Sequence, residues 1–161
     1  DGERGAFESM KVESQQWKPI TVVDVSETGD IVEVPIRWSD VDRQGHVNNV
    51  SLAGYLQEAR ILATTSWSPG MRRAGNYLWV VVRQDIRYRR QVLPTQRSCR
   101  VHTALTRLGT SSMTLAGSIA TEEGSALDAA TVLVCVDPKT GASVPIDDQT
   151  RQALSAYLVT V

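Results

Sequence analysis

DVDRQGHVNN, Asp40 to Asn49, gathers two acids, a glycine, a histidine and two asparagines between apolar stretches. Upstream, IVEVPIRW (31–38) reads as a strand. Downstream, between Val50 and Trp67, Leu52, Tyr55, Leu56, Ala59, Leu62 and Ala63 recur at helical spacing, the stripe of a helix packed on something apolar. The ten residues, polar but for Val41, Gly45 and Val47, are therefore a strand-to-helix loop. A helix start presents unpaired N–H groups and partial positive charge, so Asn48 or Asn49 can cap it while its amides face an incoming oxygen. The same residue types also serve as ordinary turn and capping groups. Spacing alone leaves both readings open.

Working outward, Ser68-Pro69-Gly70 ends the helix, because proline disfavours helical geometry in the residue before it and glycine permits a reversed backbone. Before the loop, ITVVDV (20–25) and IVEVPIRW flank the turn-rich connector Ser26 to Asp30 and predict a hairpin. After the helix the period changes to two. In YLWVVVRQDIRYRRQV (77–92), Leu78, Val80, Val82, Ile86 and Tyr88 share the face expected inside; Trp79, Val81, Arg83, Asp85, Arg87 and Arg89 share the face expected outside. Further strands are expected at about Arg97–Thr106, Ser111–Thr121 and Ala129–Asp137, with breaks at Gly109, Glu122–Ser125 and Pro138–Gly141. A short capped helix is expected within Asp147–Tyr157. One long helix and about six antiparallel strands make an α+β domain over 17–161. DGERGAFESMKVESQQ (1–16) is polar and aperiodic, and is read as a flexible tail that includes a processed or added end.

Composition bounds the function. A chain of 161 residues with 42% hydrophobic residues can fill one core. Seventeen basic against eighteen acidic residues supply no broad attraction to nucleic acid or anionic lipid. Cys99 and Cys135, both in apolar strand-like stretches, suit a reducing compartment better than a disulfide framework. No apolar run approaches the roughly 20 residues needed to span a bilayer, and the expected location is the cytoplasm, with neither membrane nor nucleic acid as partner.

WSDVDRQGHVNNVSLAGYLQEAR (38–60) resembles the signature of hot-dog-fold thioesterases of the 4-hydroxybenzoyl-CoA thioesterase class. GTSSM (109–113) and TGASVPIDDQTRQAL (140–154) extend the resemblance over about Ile31 to Leu154. The loop is also similar to that of plant-type acyl-carrier-protein thioesterases, which share the fold. The resemblance implies an antiparallel sheet of about five or six strands wrapped around one long central helix. It also implies hydrolysis of an acyl-CoA thioester to free acid and CoA, with acyl-carrier-protein substrates as the alternative. Asp42 falls where these enzymes keep their catalytic carboxylate, and Asn49 where a backbone N–H polarises the thioester carbonyl. His46 matches the histidine of the carrier-protein branch, but Gln44 stands where that branch has asparagine. Gly45 matches the CoA branch and, with Asn48, falls in the substrate-binding part of the loop; Asp40 is a supporting acceptor. No metal and no cofactor are implied. The expected partners are the acyl thioester and a second copy of the chain, in a homodimer or a tetramer of such dimers. Only Arg107 lies near the turn where the CoA branch can hold nucleotide phosphates.

A thiol with a pKa near that of cysteine, about 8.5, leaves readily, so thioester hydrolysis needs no strong general acid. Asp42 could direct a water at the carbonyl or attack it to form an anhydride. Other constellations are weaker. Cys99 and His102 lie three residues apart on a strand and face opposite ways, a poor arrangement for sharing a metal. There is no G-x-S-x-G elbow and no phosphate-binding glycine loop. Glu58 is a second acid candidate but fits an ion pair with Arg60 better. Tyr55 reads as core, and Arg87, Arg89 and Arg90 as a solvated face. A hydratase of the same fold would need Asp and His five residues apart, whereas Asp42 and His46 are four apart and Asp40 and His46 six. A non-catalytic acyl-thioester binding module is the remaining alternative.

Overall fold

The computed structural model describes residues 20–25, 27–69 and 77–160. The expected tail 1–16, Ser26 of the expected turn and Gly70 at the helix end lie outside the described residues. Five strands, β1 (Asp30–Pro35), β2 (Leu78–Tyr88), β3 (Ser98–Leu108), β4 (Ser112–Thr121) and β5 (Gly124–Val136), pair antiparallel in the order β1-β3-β4-β5-β2. One long helix, α1 (Asn49–Trp67), lies across one face, and α2 (Asp148–Ser155) follows the sheet.

α1 forms where the apolar stripe predicts it and buries Leu52, Tyr55, Leu56, Ala59, Ala63 and Trp67. Leu62, expected on that stripe, is 49% exposed. The step of four from Ala63 reaches Trp67 instead, which keeps the buried face on one side of the cylinder. Under α1 lie Val34, Cys99, Val101, Ile119, Leu127 and Ala129, drawn from β1, β3, β4 and β5. Full burial of each large aliphatic side chain is worth roughly 1.5–3 kcal/mol, so this seam is the main adhesive between helix and sheet. At its tightest point a Cβ on Gly117 of β4 would lie 2.9 Å from Leu56 Cδ2.

Three further sequence expectations are corrected. ITVVDV is not a strand and forms no hairpin; β1 pairs with β3. Ile20–Val25 instead runs over the sheet face opposite α1, where Val25 packs on Ala104 and Ala116 and its amide donates to Ser118 Oγ at 3.1 Å. The second concerns β2. Its register against β5 slips between Val81 and Arg83, so one extra residue reverses the alternation. Beyond the slip Ile86 packs on the core under α1, as expected. Before it the faces are exchanged: Trp79 packs inward, while Leu78 is 54% exposed and Val80 and Val82 are exposed beside it. β5 also begins earlier than expected, at Gly124, because Glu122 and Glu123 suffice for the turn once Gly124 takes φ +109°.

Candidate functional site

The loop from Asp40 to Asn48 is built from its own polar groups. Val41 and Val47 form an antiparallel bridge that closes its neck. Inside, the Asp42 amide donates to the His46 carbonyl at 2.8 Å and the Gly45 amide to the Asp42 carbonyl at 3.1 Å. Asp42 Oδ1 accepts from the amides of Gln44 at 2.8 Å and His46 at 3.3 Å, an Asx turn. Gly45 sits at φ +81°, the left-handed region that glycine enters without a side-chain penalty, and a Cβ there would meet nothing within 4 Å. Asp42 Oδ2 has no hydrogen-bond partner among the described residues.

The helix start is equally explicit. Asn48 is the cap: its Oδ1 accepts from the Val50 amide at 2.8 Å, and its carbonyl takes the first helical bond, from Leu52, at 3.0 Å. Asn49 is the first helical residue, exposed, and its amide has no partner among the described residues. Its carbonyl accepts from the Tyr88 hydroxyl at 3.3 Å, which brings the β2 edge beside the helix start.

Asp40 joins loop and helix. It is only 9% exposed. One carboxylate oxygen, Oδ2, accepts from the Arg37 amide at 2.8 Å and from the Tyr55 hydroxyl at 2.6 Å, while its carbonyl accepts from the Asn48 amide at 2.7 Å. The Tyr55 hydrogen bond, aided by the Arg37 amide and working against burial, holds the Asp40 carboxyl below its ordinary range. Burial first, and then the Asp40 charge, push the Tyr55 phenol above its ordinary value. At neutral pH the pair is an anion receiving a neutral hydroxyl, the short charge-assisted type of bond. The same charge, after burial, raises the thiol of Cys99 to about 11, so that buried sulfur stays protonated.

The structure thus brings Asp40, Asp42, Gly45, His46, Asn48 and Asn49 into one loop and helix start. Chemically, the arrangement presents a carboxylate oxygen and an unpaired helix-start amide within eight residues of chain, Asp42 to Asn49. Glu58 is exposed on α1 and makes no ion pair with Arg60 among the described residues. Arg89 pairs with the fully buried Asp128, and Arg90 with Glu123 at 3.2 Å, so two of the three arginines read as a solvated face are engaged. Cys99 lies in the core under α1, and no group of three or more His, Cys, Asp or Glu among the described residues could hold a metal. Sequence reasoning missed what Tyr55 does. Its position in an apolar stripe signals core, and its bond to an acid 15 residues earlier is visible only once the chain is folded. Among the described residues no helix is long and apolar enough to cross a membrane.

Residues 36–154 match the family model for the thioesterase-like superfamily. The uncharacterized protein YsmA of Bacillus subtilis (strain 168) is 31% identical over 123 residues, covering 76% of this chain and 82% of that protein. Among solved structures, a thioesterase-superfamily protein from Jannaschia sp. CCS1 superposes with a TM-score of 0.77 at 19% identity, over 86% of this chain and 99% of that one. A Thermus thermophilus thioesterase complexed with coenzyme A and Zn superposes with a TM-score of 0.69 at 29% identity, over 79% and 92% of the two chains. The five-stranded antiparallel sheet with its long helix is a hot-dog fold, and this chain belongs to the thioesterase-like superfamily.

Proposed function

We propose that the protein hydrolyses an acyl-CoA thioester to the free acid and CoA, with Asp42 as general base and the Asn49 amide as oxyanion donor. The observation that carries this reading is the division of the Asp42 carboxylate: Oδ1 is committed to the turn, while Oδ2 has no partner among the described residues. Asp42 takes a proton from water as the water oxygen bonds to the thioester carbonyl carbon. Charge on the carbonyl oxygen is met by the helix-start amide, a type of stabilisation commonly worth about 10²-fold or more in rate. The C–S bond then breaks, CoA leaves as its thiolate, and the acyl group departs as the acid. Direct attack by Asp42 to form an anhydride uses the same groups and differs only in where water enters.

His46, tied by its backbone to both ends of Asp42, adds polarity beside the carboxylate. The open space at Gly45 leaves room for the thioester to approach the loop, and Asn48, by capping the helix, holds the start of α1 beside it. The coenzyme A bound to the Thermus thermophilus relative favours CoA over a carrier protein as the thiol. A homodimer fits the same reading. β2 is an edge of the sheet, its Leu78, Val80, Val81, Val82 and Tyr88 are exposed in the isolated chain, and Tyr88 reaches the helix start. A second copy paired there would cover the edge and place each site at a subunit boundary.

A panel of aliphatic and aromatic acyl-CoA esters, read by release of free thiol, tests the activity; light scattering tests the dimer. Turnover on at least one ester and a dimer mass are expected. Binding without thiol release would replace the enzyme by an acyl-thioester binding module, release only from carrier-protein thioesters would change the substrate, and a monomer at micromolar concentration would remove the shared-site arrangement.

A further inference from the structure

We propose that Tyr55 is a positioning residue: through Asp40 its hydroxyl holds the Asp42 loop against the body of α1 and so sets where the Asp42 carboxylate stands relative to the helix start. The inference rests on the reading of Asp42 given above and extends it to a residue outside the loop. The loop is closed on itself by the Asn48 amide and the Asp40 carbonyl, 2.7 Å apart. That bond runs from Asp40 to the cap of α1 and holds the loop only to the helix start. Contacts farther off hold it to the body of the molecule. The Val47 amide donates to the carbonyl of Val92 at 2.8 Å, and Asp40 Oδ2 accepts from Tyr55 at 2.6 Å.

Tyr55 is suited to this task by its place in α1. Its ring is 4% exposed and packed in the cluster with Leu52, Leu56, Val34 and Cys99, so the ring cannot follow the loop. Packing alone would be served by phenylalanine. A hydroxyl in such a place costs free energy unless it is hydrogen-bonded, and its partner is the carboxylate two residues from Asp42. Removing the hydroxyl leaves Asp40 buried with the Arg37 amide on Oδ2 and a lesser side-chain hydrogen bond from Ser51. The carboxylate is then drawn toward water and takes the loop with it. Reaction rate is far more sensitive than binding to such a shift, since misplacement of about 1 Å can cost about 10²-fold.

The test compares two tyrosines. Tyr77 is also buried, and its hydroxyl also bonds an aspartate, Asp147, as well as Thr150, each at 2.7 Å, but at the start of α2. On the acyl-CoA ester turned over fastest, Tyr55→Phe is expected to lower kcat roughly 10- to 10²-fold with KM changed less than about threefold, and Tyr77→Phe to leave kcat at the parental value whatever its melting temperature. Asp40→Asn, which keeps an acceptor for Tyr55 but not the charge, should fall between, and serves if Tyr55→Phe does not fold. Amide hydrogen exchange at Gln44 and His46 should quicken in Tyr55→Phe and stay unchanged in Tyr77→Phe. A kcat for Tyr55→Phe within about twofold of the parent, equal losses in the two tyrosine variants, or unchanged exchange in the loop would overturn the proposal. A parent that releases no thiol from any ester sinks the thioesterase reading instead, and the exchange measurement still decides whether Tyr55 holds the loop.

Discussion

The two helices start beside the same kinds of residue and use them differently. At α2, Asp147 is itself the cap: its carboxylate accepts from the Thr150 amide at 2.9 Å and from the Tyr77 hydroxyl at 2.7 Å, so both oxygens are consumed by folding. At α1 the cap is the neutral Asn48, the tyrosine goes to Asp40, and Asp42 between them keeps one oxygen without a partner among the described residues. Three residues share at α1 what one does at α2. An acid that must act on a substrate has to be spared capping, because a carboxylate whose two oxygens already hold a backbone N–H and a hydroxyl is a weaker base and has less room to meet water. The α2 start shows what such an acid does when only structure is asked of it.

The largest effect should come from removing the charge of Asp42 while keeping its turn. Asp42→Asn keeps an oxygen for the Gln44 and His46 amides, so its melting temperature and oligomeric state should match the parent. Its turnover should fall on the order of 10²- to 10⁴-fold, the range for removing a positioned base. Steady-state thiol release and a thermal melt check both halves, and near-parental turnover would pass the search for an acid to Glu58. The corresponding Asp147→Asn should leave turnover where it was.

Next in size is the stability difference between the two tyrosines. Tyr55→Phe strips a donor from a buried carboxylate that can reach water only by shifting the loop and should cost about 2 kcal/mol, whereas Tyr77→Phe leaves Asp147 already open to water and should cost about 1 kcal/mol. Urea denaturation followed by tryptophan fluorescence separates the two; a larger loss at Tyr77 would contradict the contrast. Gly45→Ala places a Cβ at φ +81° in otherwise open space, so its cost is backbone strain of about 1 kcal/mol, and Gly45→Asn should cost less. Equal losses for Ala and Asn in the same urea experiment would point to a cause other than the left-handed backbone.

The smallest effect is in acid. Asp40 is held below the ordinary aspartate range chiefly by Tyr55; at Asp147 burial pushes upward, but the Thr150 amide and hydroxyl and Tyr77 outweigh it and the net direction is also down. A carboxyl lowered in the folded state contributes stability that is complete above the ordinary value of about 3.9 and is lost as pH falls through the folded value. Loss of Tyr55's hydroxyl removes the main cause at Asp40, so the midpoint of acid unfolding should move to slightly higher pH in Tyr55→Phe, read by the same fluorescence. A midpoint moved to lower pH would reverse the sign argued for Asp40.

Much of the fold was legible because it rests on short-range rules. The spacing of Leu52, Tyr55, Leu56, Ala59 and Ala63 predicts α1 to within a residue at its start, and Ser68-Pro69 marks its end. β3, β4 and α2 lie close to where alternation and capping place them. Faces were less secure. The period-two pattern of β2 carries no mark of the slip at Val82, and Val80-Val81-Val82 is equally apolar whichever way it turns. ITVVDV has a strand's composition, yet the neighbour of β1 is β3, some 70 residues on, and the segment is left to cover the far face of the sheet.

By itself, then, the amino-acid order determined the α+β class, the long helix and the loop that precedes it, since turn chemistry, capping and apolar period act over a few residues. Tertiary structure alone decided what the two acids of that loop meet. Asp40 and Asp42 are the same residue type two positions apart, and apart from the family resemblance nothing in their immediate sequence distinguishes them. One meets the hydroxyl of Tyr55 inside the core and the other keeps an oxygen without a partner among the described residues, a difference created only when β1, the loop and α1 pack around a common interior.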